Sequence, residues 1–139
     1  MDMEKIYSKT NPKILLHVLN KKEDITSQRN SLSPEDEFLQ VACLSADEGK
    51  TIFPHKHLEC RKIVSMNQES WIVIEGIIKV TLYDLDDMVL KEEILKQGDC
   101  LITFRGAHSF VSLEEGTKIY EYKTGPYEGK EKDYVSIDS

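Results

Sequence analysis

From Phe38 to Lys123 the chain alternates short apolar runs with polar or glycine-bearing turns. The runs are Phe38–Leu44, Thr51–His57, Trp71–Ile74, Ile77–Tyr83, Val89–Leu95, Cys100–Phe104, Ser109–Leu113 and Ile119–Lys123, each four to seven residues long. Runs of that length rich in β-branched and aromatic residues predict strands rather than helices. The breaks between them carry turn chemistry: Asp47-Glu48-Gly49, Glu75-Gly76, Asp84 to Asp87, Gln97-Gly98-Asp99 and Glu114-Glu115-Gly116. Eight such strands predict an all-β fold of the double-sheet jelly-roll kind.

The ends read differently. Asn11-Pro12 leads into Lys13–Leu19, a run too short to decide between a capped helix and an early strand, with His17 inside it as a packed or edge histidine. The polar stretch from Asn20 to Ser33 reads as a connecting arm. Ser33-Pro34-Glu35-Asp36 has a cap residue, a proline at the first helical position and acids in the first turn, which predicts one short helical turn. After residue 124 the charged, glycine-bearing tail is either a solvated extension or a strap. The expected organisation is an N-terminal arm over 1–37, a β-barrel over 38–124 and a C-terminal strap over 125–139.

Composition narrows the function. The 139 residues suit one domain. The formal net charge is −7 and no basic run forms a phosphate-tracking stripe, so nucleic acid is not an expected partner. Met1-Asp2-Met3-Glu4 does not resemble a signal peptide, and no apolar stretch approaches a membrane span; the expectation is a cytoplasmic protein without a membrane partner. Cys43, Cys60 and Cys100 are odd in number and lack CxxC spacing, which argues against a disulfide framework and a cysteine zinc site. Cys43 and Cys100 read as core thiols.

The chemistry concentrates around His55 and His57. On a strand, residues two apart point to one face, so the pair can converge on a cation; surface histidines near a turn are the plainer alternative. Further along stand Glu69, then Gly76, then Gly98-Asp99, and finally Gly106-Ala107-His108. Arg61 and Arg105, two of only three arginines, lie close in sequence to these histidines and offer planar forks for an anion, if they are not simply surface ion pairs. Parity puts Thr51 and Phe53 on the face of His55 and His57, and Trp71 and Val73 on the face of Glu69. Trp71 is either an aromatic floor for a ligand or core packing.

Gly49, five residues, His55-x-His57, and later Glu69, six residues, Gly76 together resemble the first motif of the cupin superfamily, small jelly-roll barrels typified by the RmlC-like fold. Gly98, Gly106 and His108 resemble its second motif. The resemblance spans roughly residues 38 to 124. It departs from the family where eleven residues, 58 to 68, separate His57 from Glu69, where about three or four are usual. Glu59 is therefore a rival carboxylate, with Glu69 preferred because its spacing to Gly76 is kept. Phe104 stands at the usual proline position, His108 follows Gly106 one residue early, and Ser112 stands where asparagine is common.

The resemblance implies a cupin-type double-stranded β-helix with a metal held by His55, His57, Glu69 and His108. Such N/O ligation suits Fe, Mn, Ni, Zn or Cu, without choosing among them. It also implies a small-molecule ligand met by Arg61, Trp71 and Arg105, and a homodimer. Gln28-Arg29-Asn30, Ser33-Pro34, Phe38–Ala42, Pro54–His57, Gln68-Glu69 and Tyr83-Asp84 look like the short WbuC-like cupins of bacterial polysaccharide and nucleotide-sugar pathways. That implies a polar or anionic sugar derivative as ligand. The enzyme class stays open: isomerase or epimerase, metal-dependent oxygenase, a metal-independent epimerase or ketoisomerase using histidine as general base, or a non-catalytic binding module.

Overall fold

A computed structural model describes residues 3–26 and 28–137. The fold is all-β, with ten strands among the described residues, in antiparallel sheets: β1 Glu4–Tyr7, β2 Leu15–Asn20, β3 Asn30–Ser31, β4 Ala42–Cys43, β5 Glu69–Glu75, β6 Ile77–Tyr83, β7 Val89–Lys96, β8 Cys100–Thr103, β9 His108–Ser112 and β10 Lys118–Lys123. One sheet runs β1-β2-β8-β5-β10, a second runs β7-β6-β9, and β3-β4 is a small ribbon. A 3-10 turn at Lys22–Asp24 and one α-helical turn, α1, at Lys130–Asp133 are the helical pieces among the described residues.

Alternation explains how the two large sheets pack. On β6, Ile78, Val80 and Leu82 are fully buried while Ile77, Lys79 and Thr81 face outward. They meet Ile6, Leu19, Trp71, Val73, Leu95 and Leu101 from β1, β2, β5, β7 and β8, forming a core between the sheets. Full burial stabilises each such aliphatic side chain by about 1.5–3 kcal/mol. The other face of β2 and β8 presents Val18, Cys100 and Ile102, which pack with Leu32 and Phe104 and are flanked by Leu39, Val41 and Cys43. The architecture is a two-sheet sandwich. The sheets do not close into the expected barrel among the described residues.

Gly76 makes the corner between the sheets. It stands alone between β5 and β6, which belong to different sheets. Its φ is +89°, and a Cβ there would lie 2.8 Å from the Thr117 Cα. A bare, left-handed residue lets one extended chain leave the first sheet and enter the second.

Six of the eight expected strands, from Trp71–Ile74 onward, are present with ends shifted by a few residues. Lys13–Leu19, left open between helix and strand, is strand over most of its length. It lies inside the large sheet, with β1 on one side and β8 on the other. The helical turn expected at Ser33–Asp36 is a hydrogen-bonded turn and not a helix, with Glu37 N–H donating to the Pro34 carbonyl. Two expected strands fail. Phe38–Leu44 contributes only the two residues of β4, because its backbone is engaged in turns: Val41 N–H donates to Ser33 Oγ, and Leu32 N–H to the Val41 carbonyl. Thr51–His57 is not a strand at all. Ile52 and Phe53 are 66% and 78% exposed, so its apolar side chains gain no burial, and strand alternation without a ladder partner does not hold a strand.

Candidate functional site

The site lies at one end of the sandwich. His17 on β2 is in register with Thr103 on β8, and Thr103 with Glu69 on β5, so three polar side chains form a row across the large sheet. From the smaller sheet, His108 on β9, paired in register with Leu82 of β6, reaches this row. The His108 Nε2 and Glu69 Oε2 atoms are 2.9 Å apart, and the two side chains are 19% and 20% exposed. The pair is half sheltered yet reachable from solvent.

An aromatic wall supports it. The Trp71 ring stacks on His108 with centroids 4.1 Å apart and planes 13° apart, and Phe110 meets Trp71 edge-on at 5.0 Å. Trp71 Nε1–H donates to Glu121 Oε1 at 3.1 Å, which fixes the indole in its plane. At 6% exposure Trp71 is chiefly a packed wall that orients His108. Glu69, Trp71 and Val73 do share one face of β5, as the parity predicts.

Behind His108 the polar row continues inward. Thr103 Oγ1 lies 2.8 Å from His108 Nδ1 and 3.0 Å from His17 Nδ1. His17 Nε2 lies 3.0 Å from the Tyr83 carbonyl. The fully buried His17 has its pKa lowered to about 4; burial is the main cause, and the hydrogen bond to Tyr83 and the nearby Asp84 oppose it. His17 is therefore neutral near pH 7. The sequence signal for it was only its place in the Leu15–Leu19 run, which the packed-histidine reading absorbed; Thr103 carried no signal of its own.

The remaining expected site residues are elsewhere. His55 and His57 sit beside each other, with ring centroids 5.4 Å apart, on the exposed, strandless stretch from 44 to 67. His55 Nδ1–H donates to the Phe53 carbonyl at 2.8 Å, a local contact. Glu59 and Arg61 are exposed on the same stretch. Arg105 is engaged: its Nη1 donates to both carboxylate oxygens of Glu37 at 3.0 and 2.9 Å, and Gln68 Nε2 donates to the same carboxylate. Cavities of about 360 and 420 Å³ lie away from the pair, one between residues 62–67 and 124–133, the other beneath residues 32–43; neither is lined by Glu69 or His108.

The structure thus brings together Glu69, Trp71 and His108; among the described residues no hydrogen bond, ion pair or ring contact joins His55, His57, Arg61 or Arg105 to them. Among the described residues no three His, Cys, Asp or Glu side chains gather as a cation site. Glu69 and His108 supply one oxygen and one nitrogen donor, the right chemistry for half of an N/O ligand set. As it stands the contact is a carboxylate–imidazole dyad, which can hold and move a proton. No helix among the described residues is long and apolar enough to cross a membrane. Comparisons with protein-family models, with curated proteins and with solved structures found no match.

Proposed function

We propose that the chain is a cupin-like jelly roll that binds a divalent transition metal at the Glu69–His108 end of its sandwich, with a small polar ligand in the same mouth. The observation that carries this reading is the 2.9 Å approach of Glu69 to His108 across two different sheets. Two residues that the resemblance nominates from separate motifs, 39 positions apart, are in contact, which supports the reading. Support comes also from β9, which among the described residues is an edge strand paired to β6 alone. Its outer side offers unpaired backbone groups beside His108. The stretch 49–57 carries its two histidines at alternate positions and has no strand partner among the described residues, and its docking on that edge would add His55 and His57 to the donor set. The bound metal would supply Lewis acidity. Glu69 and His108 would hold it, Trp71 would keep the His108 ring in plane, and the resemblance alone suggests a sugar-derived anion as ligand.

The test is the metal content of protein purified without a histidine tag, alongside His108→Ala, Glu69→Ala and a His55→Ala/His57→Ala double variant. We expect close to one transition metal per chain in the parent and at least a tenfold loss of affinity in each variant, the range typical of losing a ligand or its close support. Equal metal in all four proteins would refute the reading.

A second reading is favoured by the direct contact itself: Glu69 and His108 as a metal-independent acid–base dyad, suited to proton abstraction next to a carbonyl. Turnover of a keto sugar that persists after exhaustive chelation would select it over the first.

A further inference from the structure

We infer that His17 and Thr103 are positioning residues that force a proton onto Nδ1 of His108, so that Nε2 is the nitrogen left to face Glu69, a cation or a substrate. The assignment follows from donor and acceptor inventory. The Tyr83 carbonyl has only lone pairs, so the His17 Nε2 atom 3.0 Å from it must carry a hydrogen. A second proton on this fully buried ring would leave an imidazolium in the sandwich interior, so His17 Nδ1 keeps its lone pair. Thr103 has one hydroxyl hydrogen, and Nδ1 of His17 at 3.0 Å takes it. The hydroxyl oxygen can then only accept from His108 Nδ1 at 2.8 Å. His108 Nδ1 therefore bears a hydrogen whichever state Nε2 is in.

The reverse orientation fails on the same inventory. If Thr103 donated to His108, the lone pair of His17 Nδ1 would face the Thr103 oxygen at 3.0 Å with no hydrogen between them. A buried acceptor left opposite another acceptor carries a penalty of the size of a lost hydrogen bond. The far end of the relay is held by Gly106: a Cβ there would lie 2.7 Å from the Tyr83 carbonyl oxygen and 3.5 Å from His17 Nε2, so a bare residue is what allows that carbonyl its place. At the near end, Nε2 of His108 and Oε2 of Glu69 are both acceptors unless one proton lies between them. That proton is what a divalent cation would displace, as metal binding at an imidazole generally does. The consequence for a cation rests on the metal-binding reading above; the proton placement does not.

The experiment is long-range nitrogen–proton correlation NMR on full-length, metal-free protein labelled at histidine nitrogens. We expect a hydrogen on His108 Nδ1, the nitrogen protonated in the minor tautomer of free histidine, with a further proton shared between Nε2 and Glu69, and His17 in the Nε2–H form. Thr103→Val should shift His108 toward Nε2–H, and Thr103→Ser, which restores the hydroxyl, should return it. A parent His108 with no hydrogen on Nδ1, or a Thr103→Val spectrum unchanged at His108, would overturn the relay. Titration with zinc gives the second readout: affinity should fall about ten- to a hundredfold in Thr103→Val and recover in Thr103→Ser. An Nδ1–H tautomer with no zinc bound by the parent would uphold the relay and sink the metal reading. Zinc bound equally by the parent and Thr103→Val would count against the relay alone.

Discussion

At the scale of residues, the buried imidazole of His17 couples stability to pH. Its folded pKa of about 4 lies below the ordinary value of 6.5, so between those values the unfolded chain binds a proton that the native chain refuses. Stability therefore rises with pH across that window, and is lost as pH falls from about 6.5 toward 4. The shift corresponds to a loss on the order of 3 kcal/mol. The charged and titratable groups near the ring are His108 from β9, which disfavours the charged form, and Asp84 after β6, which favours it. Asp84 adds a second acid-side loss, because hydrogen bonds from the Ser8 hydroxyl and from the Leu85 and Lys9 amides hold its carboxyl below the usual range. Urea unfolding near neutral pH and at about pH 5 should show this weakening in the parent and a smaller pH difference in His17→Asn, whatever the variant's absolute stability. An equal pH difference in both proteins would show that the acid sensitivity arises elsewhere.

Among elements, the corner at Gly76 holds the two sheets in their arrangement. Gly76→Ala meets two penalties together: a left-handed backbone and a Cβ pressed to 2.8 Å from the Thr117 Cα, a backbone atom that cannot swing away. Gly116, with φ of +75° and nothing within 4 Å of a Cβ, faces only the first. The left-handed penalty alone is about 1–2 kcal/mol. Gly116→Ala should therefore lower the unfolding free energy by about that amount, and Gly76→Ala by about 2 kcal/mol more, as overpacking against fixed atoms does. Denaturant midpoints of the two variants decide it; equal losses would mean that the corner relaxes freely.

Across the whole molecule, the two-sheet body and the stretch 44–67 are held by different amounts of interaction. Every residue from 44 to 67 is exposed, and those large apolar side chains, Leu58 at 88% and Ile63 at 79% among them, gain little from burial. Among the described residues, hydrogen bonds tie it to the body near its ends, where Ser45 N–H donates to the Gln28 carbonyl and Asn67 Nδ2 donates to the Lys132 and Asp133 carbonyls. Backbone so placed opens at low cost. Brief trypsin treatment of metal-free protein should thus cut first after Lys50, Lys56, Arg61 or Lys62, before any site on β6 or β7, as read by mass spectrometry of the fragments. Slowing of those cuts by added zinc would accompany docking of the stretch; first cuts within β6 or β7 would contradict this distribution of stability.

Local pattern alone was enough for six strands from β5 to β10, because alternation and turn residues act over a few positions. It was also enough for the shared face of Glu69 and Trp71, since strand parity is local; the same parity does not apply to His55 and His57, which lie on no strand. It could not determine which runs find partners: Thr51–His57 is as long as β6 and follows a glycine-bearing turn as β6 does, yet a strand exists only where another backbone completes its ladder, and Pro54 brings no N–H to one. Nor could it reveal the row His17, Thr103, Glu69, which is a matter of register between strands far apart in the chain. Arg105 illustrates the same limit, since only the fold brings Glu37 to its guanidinium. The motif resemblance nominated the carboxylate and the imidazole; the packing of two sheets decided that they meet, and that a buried histidine stands behind them.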